Sequence, residues 1–195
     1  VKPNHGMGNW TIEAVSNTSA SSLRWYRDTF CHEECAAGEV AGVDPYDIIT
    51  SQARRSPVGA NGVTFLPYLA GASGARQNPQ ARANINGMAL ATTKGDVARA
   101  VLEGICFEMR DILDAQAAAG IEAGTIRLVG GAAKSALWSQ MLADVLQRPI
   151  EILRTSEAGC LGAAMYAGVG AGLYSSCEEA AARAVAVVGR FDPDP

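Results

Sequence analysis

The spacing of apolar positions predicts alternating strands and helices along the chain. Between Trp10 and Asn17 apolar and polar residues alternate, a pattern typical of a half-buried strand. From residue 17 to residue 37 apolar side chains recur three or four positions apart. This spacing predicts a helix with Ser19 or Ser21 as its N-cap.

The middle of the chain predicts a short helix, an extended segment and a loop. Residues 42–57 contain Pro45 where a proline suits the first turn of a helix. Residues 62–71 are mostly apolar and predict a buried strand or extended segment. Residues 72–87 are rich in polar residues and glycine, and we expect a loop there.

The longest predicted helix runs from Lys94 to Ala119. Gly95 and Asp96 stand at its beginning, and Gly120 follows it as a residue suited to end a helix. We expect its carboxylates to lie on its solvated outer face rather than to carry acid–base chemistry, with the exception of Glu103, for which we expect a structural role. One apolar stripe follows the helical period, and its members are Val97, Val101, Ile105, Met109, Ile112 and Leu113.

In the last third of the chain, segments with the apolar spacing of strands alternate with segments with the apolar spacing of helices. Strands are predicted at 126–129 and 150–153, and helices at 135–147 and 159–169. Strand, helix, strand and helix at this spacing indicate a parallel α/β layer. Residues 178–188 are rich in alanine and predict a further helix.

Small residues follow the first strand of this layer, at the carboxyl end where such sheets bind ligands. Gly130 and Gly131 lack Cβ atoms, so a flat or charged ligand can approach the backbone. The spacing fits neither a phosphate-binding loop nor a dinucleotide fingerprint, because Ala133 precedes Lys134 and Ala132 breaks the glycine pattern. A tight turn of small residues that only serves packing explains the same sequence.

Charge and composition exclude some classes of partner. The chain has 195 residues and a net charge of −4, and its length suits one domain spanning 1–195. No basic run exceeds two residues, which disfavours nucleic acid and anionic membranes as partners. The longest run of small apolar residues, 158–174, is shorter than the roughly 20 residues that a membrane span requires.

Five cysteines in an odd, scattered set indicate reduced thiols and a cytoplasmic location. Cys31 and Cys35 flank His32, a local arrangement that also occurs in zinc sites. No second pair of ligands follows in the sequence, and zinc needs four ligands or three with a water. We therefore expect thiols on a helix and no metal site.

Four segments carry a family resemblance, in the same order along the chain. Residues 126–152, "IRLVGGAAKSALWSQMLADVLQRPIEI", follow the pattern Gly-Gly-Gly/Ala-Ala-Lys/Arg-Ser, then Trp-x-Gln-x-x-Ala-Asp, then a proline. Residues 157–174, 98–116 and 65–88 match further segments. Together they resemble the C-terminal part of the FGGY carbohydrate kinases, and the xylulokinases especially.

The resemblance implies an α/β domain of the actin-like, ribonuclease-H-like ATPase fold. It also implies transfer of the γ-phosphoryl group of ATP to a sugar hydroxyl, with Mg²⁺ as the metal. It assigns no catalytic residue and no metal ligand to this chain. The nucleotide-binding residues that it implies are Gly130, Gly131, Ala132, Ala133, Lys134 and Ser135 at the turn, and Ala20, Leu23 and Arg24 on the first helix.

The resemblance further implies that the sugar-binding N-terminal domain, the general-base aspartate and the first strands of the ATPase domain lie outside this chain. We therefore expect the nucleotide-binding half of a sugar kinase, with xylulose as the sugar, inactive without its other half. A non-catalytic nucleotide- or partner-binding module from a split or decayed kinase gene is the alternative. The expected partners are ATP or ADP, the missing domain, and a second copy paired through exposed sheet edges.

Overall fold

The computed structural model describes residues 2–3, 10–73 and 77–194. The helices are α1 (Ser19–Phe30), α2 (His32–Ala41), α3 (Pro45–Arg55), α4 (Lys94–Ala118), α5 (Ala136–Leu146), α6 (Ala158–Gly170) and α7 (Cys177–Ala184). The strands are β1 (Lys2–Pro3), β2 (Trp10–Thr11), β3 (Thr64–Leu66), β4 (Asn84–Asn86), β5 (Ile126–Leu128), β6 (Ile150–Leu153) and β7 (Val187–Phe191). Short 3₁₀ turns occupy Ala60–Gly62 and Gly131–Lys134.

The largest sheet has the strand order β5-β6-β7. Strands β5 and β6 are parallel, with Ile126 opposite Ile150, as the alternation of strand and helix predicts. Strand β7 pairs antiparallel with β6, which corrects the helix predicted over 178–188. That helix ends at Ala184, because the following valines, which favour strands, pair with β6 instead.

The strand predicted over 10–17 is wrong beyond β2, which pairs antiparallel with β1. The polar side chains after β2 form hydrogen bonds with distant parts of the chain, and no neighbouring strand pairs with this segment in the described residues. The Ser16 hydroxyl donates to Glu108 on α4 at 2.5 Å, and the Asn17 amide donates to the Ala70 carbonyl at 3.2 Å. Tertiary hydrogen bonds therefore replace the ladder that the alternating pattern predicts.

The helix predicted over 17–37 is two helices that meet at Cys31. Its N-cap position is Thr18 rather than either predicted serine. No glycine or proline marks the break. The change of direction lets Glu34 of α2 turn inward, where its carboxylate lies 3.1 Å from the Lys94 ammonium at the start of α4.

Helix α4 lies at the centre of the core, and its predicted bounds are confirmed to within one residue. A capping box begins it, since the Thr93 and Asp96 side chains each accept a hydrogen bond from the other's backbone N–H. Two of its glycines permit close packing: a Cβ at Gly95 would lie 2.6 Å from the Gln52 carbonyl of α3, and one at Gly104 would lie 2.3 Å from the carbonyl oxygen of a β3 residue. Both α3 and β3 therefore pack directly onto the backbone of α4.

A buried ion pair connects α4 to the segment after α3. The Arg99 guanidinium donates to Glu103 at 2.7 Å and to the Ser56 carbonyl at 3.0 Å. Glu103 also accepts the backbone N–H of Gly59 at 3.0 Å. These contacts agree with the structural role that we expect for Glu103. The solvated position expected for the other carboxylates of α4 is wrong for Asp96 and Glu108, which are buried and accept hydrogen bonds from serine hydroxyls.

The loop predicted over 72–87 contains β4, which pairs antiparallel with β3. Residues 74–76 of that prediction lie outside the described residues. The predicted helix with Pro45 in its first turn is confirmed as α3, and the extended segment 62–71 contains β3.

Candidate functional site

A cavity of about 520 Å³ opens between α1, the beginning of α3, and the turn that joins β5 to α5. Three separate stretches of sequence therefore meet there. Its lining residues are Ala20, Ser21, Leu23 and Arg24 from α1, Asp44, Tyr46, Asp47 and Thr50 from α3 and its cap, and Gly131, Ala132, Lys134, Ser135 and Trp138 from the turn and α5.

The turn forms the first wall, and its two glycines have different roles. Gly130 has φ 79° and ψ −160°, a conformation that only glycine adopts readily. Gly131 lines the cavity, and a Cβ built there has no protein atom within 4 Å. Gly130 therefore allows the backbone to turn, while Gly131 leaves open space beside it.

Ser135 ends the turn and begins α5. Its Oγ accepts the backbone N–H of Trp138 at 3.3 Å, which makes it the N-cap of that helix, one residue from the predicted start. The hydroxyl hydrogen remains able to donate to a group in the cavity. Trp138 is buried beneath the turn and packs in the hydrophobic core.

Helix α1 forms the second wall. Leu23 is buried, and the Tyr26 hydroxyl donates to the Lys94 carbonyl at 3.0 Å, so this helix is held against the start of α4. Burial raises the pKa of Tyr26 well above its usual range, so the phenol stays neutral and keeps this hydrogen bond. Ala20 and Arg24 are exposed on the cavity side of the same helix.

The third wall, at the beginning of α3, was not predicted as part of a site. Pro45 occupies the first turn, and the Asp44 carboxylate accepts the backbone N–H of Tyr46 at 2.9 Å. The Arg27 guanidinium of α1 lies 4.8 Å from the centre of the Tyr46 ring. The "DP" pair signals a helix start in the sequence, but nothing local indicates which helix face meets α1.

The structure brings most of the predicted site residues together. Gly130 and Ala133 do not line the cavity. The predicted residues that do line it are Ala20, Leu23, Arg24, Gly131, Ala132, Lys134 and Ser135.

Two cationic side chains beside the cavity are available to a ligand. Within the described ranges, Arg24 and Lys134 form no hydrogen bond or ion pair with another residue. Ordinary surface cations of this chain often have partners, as Arg110 has in Asp114 at 2.8 Å. Two unpartnered cations beside a concave surface favour a ligand with anionic or hydrogen-bond-accepting groups.

The potential metal ligands of the described residues do not cluster, and burial keeps the Cys106 thiol protonated. Across residues 2–3, 10–73 and 77–194, no three His, Cys, Asp or Glu side chains come together as metal ligands would. All five cysteines are free, and burial raises the pKa of the Cys106 thiol to about 12. In the same part of the chain, no helix is both long and apolar enough to cross a membrane.

Comparison with known proteins identifies the family. The model of the C-terminal domain of the FGGY family of carbohydrate kinases matches residues 1–171. The chain belongs to the FGGY family of carbohydrate kinases. The family that the sequence segments resemble is the family whose model matches the chain, so the predicted membership is confirmed.

Several curated kinases are similar in sequence. A xylulose kinase of Staphylococcus epidermidis is 34% identical over 98% of this chain and 37% of its own length. A gluconokinase of Bacillus subtilis is 32% identical over 86% of this chain and 32% of its own length. An autoinducer-2 kinase of Klebsiella pneumoniae is 32% identical over 100% of this chain and 37% of its own length. The chain thus spans about a third of the relatives that it matches.

Solved structures of sugar and glycerol kinases share the fold. A ligand-bound xylulose kinase from Lactobacillus acidophilus has a TM-score of 0.75 at 26% identity, over 93% of this chain and 35% of that one. A glycerol kinase from Plasmodium falciparum with ADP has a TM-score of 0.74 at 26% identity, over 91% of this chain and 33% of that one. The predicted fold class, the actin-like ATPase fold of sugar kinases, is confirmed.

Proposed function

We propose that this chain supplies the nucleotide-binding part of an ATP-dependent sugar kinase. The observation that carries the proposal is the cavity that joins α1 to the glycine turn, two segments distant in sequence that the family resemblance assigns to the nucleotide. The similar glycerol kinase, crystallised with ADP, supports the same ligand class. The chain's own residues would bind and orient the nucleotide rather than perform chemistry.

The walls suit the parts of a nucleotide. The open side of Gly131 and the small Ala132 side chain let the adenosine approach the turn. Leu23 and Ala20 offer an apolar surface to the base. Lys134, on the turn before α5, is free to bind phosphate oxygens.

Mg²⁺ accompanies ATP in the proposed reaction. No cluster of three potential ligands forms within the described ranges, so we assign no Mg²⁺ ligand to this chain. Phosphoryl transfer depends mainly on positioning and electrostatic stabilisation of both substrates. We therefore propose that activity requires the rest of a longer kinase, in which the sugar site lies.

The identity of the sugar substrate is a second, more specific part of the proposal. Similar identities connect the chain to gluconokinase, xylulose kinase and autoinducer-2 kinase. We favour xylulose, because xylulose kinases occur both among the relatives matched over nearly the whole chain and among the structural neighbours. Five free thiols favour a cytoplasmic location.

Calorimetric titration of the purified chain with ADP tests the proposal. We expect saturable one-to-one binding that Lys134→Ala and Arg24→Ala each weaken about tenfold, because each removes a charge-assisted hydrogen bond. Arg54→Ala removes a cation from the far end of α3 that does not line the cavity, and it serves as the matched control. No binding of ADP, or equal weakening by all three variants, would favour a non-catalytic partner-binding module instead.

A further inference from the structure

The third wall of the cavity contains a carboxylate that has no partner among the described residues. Asp44 is engaged as the N-cap of α3, and the Thr50 hydroxyl donates to the Tyr46 carbonyl at 2.7 Å. The Asp47 side chain, in the first turn of the helix, forms no hydrogen bond or ion pair with any other residue in the described part of the chain. Of the polar groups on this wall, Asp47 is therefore free to accept hydrogen bonds from a ligand.

The position of Asp47 is fixed by its helix. Ile49 and Ala53 are fully buried, so one face of α3 is anchored in the core. The stacking of Arg27 on Tyr46 joins the beginning of α3 to α1, and Asp28 holds that guanidinium through an ion pair of 2.6 Å. A carboxylate on a helix held from two sides suits recognition better than one on a loop.

The cavity therefore presents both signs of charge from different walls. Arg24 and Lys134 suit anionic groups or hydrogen-bond acceptors, whereas Asp47 suits hydrogen-bond donors and repels phosphate. A ribonucleotide has both features, because two neighbouring ribose hydroxyls stand at a distance from its phosphates. Two adjacent O–H donors also match the two oxygens of one carboxylate.

We propose that Asp47 is a specificity-determining residue that accepts hydrogen bonds from the ribose hydroxyls of the bound nucleotide. This rests on the proposed nucleotide site and extends it to a wall that the sequence resemblance does not assign. Asp47 thereby selects ribonucleotides over deoxyribonucleotides. Loss of hydrogen bonds to a charged group reduces affinity on the order of tenfold or more.

Calorimetry tests this proposal. It measures the affinities of the wild-type chain and of Asp47→Ala for ADP and for 2′,3′-dideoxy-ADP. In the wild type we expect the dideoxy ligand to bind at least about tenfold more weakly than ADP. In Asp47→Ala the two ligands should bind within about twofold of each other, because the acceptor is gone. Asp47→Asn keeps one acceptor without the charge and should show an intermediate difference.

Glu39→Ala is the matched control, since it removes an exposed carboxylate of α2 that does not line the cavity. It should retain the wild-type difference, and circular dichroism should show unchanged melting of both alanine variants. An unchanged dideoxy penalty in Asp47→Ala, with ADP still bound, would overturn the role of Asp47 and leave the nucleotide site intact. Failure of the wild type to bind ADP would overturn both proposals.

The affinity for inosine diphosphate distinguishes a contact of Asp47 with the ribose from a contact with the base. Inosine diphosphate lacks the exocyclic amine of ADP, a group from which a carboxylate could also accept a hydrogen bond. Asp47→Ala should leave the ratio of inosine diphosphate to ADP affinity unchanged. A collapse of that ratio, with the dideoxy penalty retained, would assign Asp47 to the base and contradict the inference.

Discussion

Substitutions at the two adjacent glycines of the turn should separate backbone strain from ligand binding. Gly130→Ala places a Cβ on a residue with φ 79° and ψ −160°. This conformation costs a non-glycine residue about 1–3 kcal/mol, so the free energy of unfolding should fall by that amount. Gly131→Val adds a side chain where a Cβ meets no protein atom within 4 Å, so we expect a stability change below about 0.5 kcal/mol.

For nucleotide affinity, we expect Gly131→Val to have the larger effect of the two substitutions. The Gly131→Val side chain lies on the open side of the turn, where we place the adenosine, and ADP affinity should fall at least about tenfold. Urea unfolding at 25 °C measures stability, and ADP titration of the same preparations measures binding. In a longer kinase, sugar binding should be spared. If Gly131→Val lost as much stability as Gly130→Ala and bound ADP normally, the turn would be purely structural.

Three further predictions concern stability, activity and assembly. Hydrogen bonds from Ser56 and Thr93 hold the pKa of buried Asp96 at about 2, below its usual 3.8, so Asp96→Asn should lower the free energy of unfolding by about 2 kcal/mol at pH 7. That contribution is present above pH 3.8 and is lost as the pH falls through 2, so urea titrations of both proteins should converge in acid; a constant difference would contradict this origin. The 195-residue chain alone should not phosphorylate D-xylulose or glycerol with Mg-ATP above background in a coupled assay, since a general base alone typically contributes 10²–10⁴-fold and the family resemblance assigns none to this chain; robust turnover would refute this. Strand β5 has a paired neighbour on one side only within the described residues, so light scattering should show a mass above 20.3 kDa; a stable monomer would refute pairing through that edge.

Local signals predicted the elements on which the site is built. The helical stripe around Val101 and Ile105 predicted α4, because those side chains enter the core at the period of a helix. Small residues after a strand predicted the turn at Gly130 and Gly131. Family resemblance then connected that turn to Leu23 on α1, and the structure places both at one cavity.

Features that depend on distant contacts could not be predicted in this way. The helix break at Cys31 accompanies the buried pairing of Glu34 with Lys94, sixty residues further along the chain. Strand β7 forms because its valines pair with β6, although alanines before them favour a helix. The sequence does not predict Asp47 as a site residue, because only the packing of α3 against α1 and α4 brings it to the cavity.

A crystal structure of the chain with ADP tests the nucleotide site most directly. We expect the adenosine between α1 and the turn, beside Gly131 and Leu23, with the ribose facing Asp47 and the phosphates within reach of Lys134. ADP bound at another surface, with the cavity empty at saturating concentration, would contradict the proposed site.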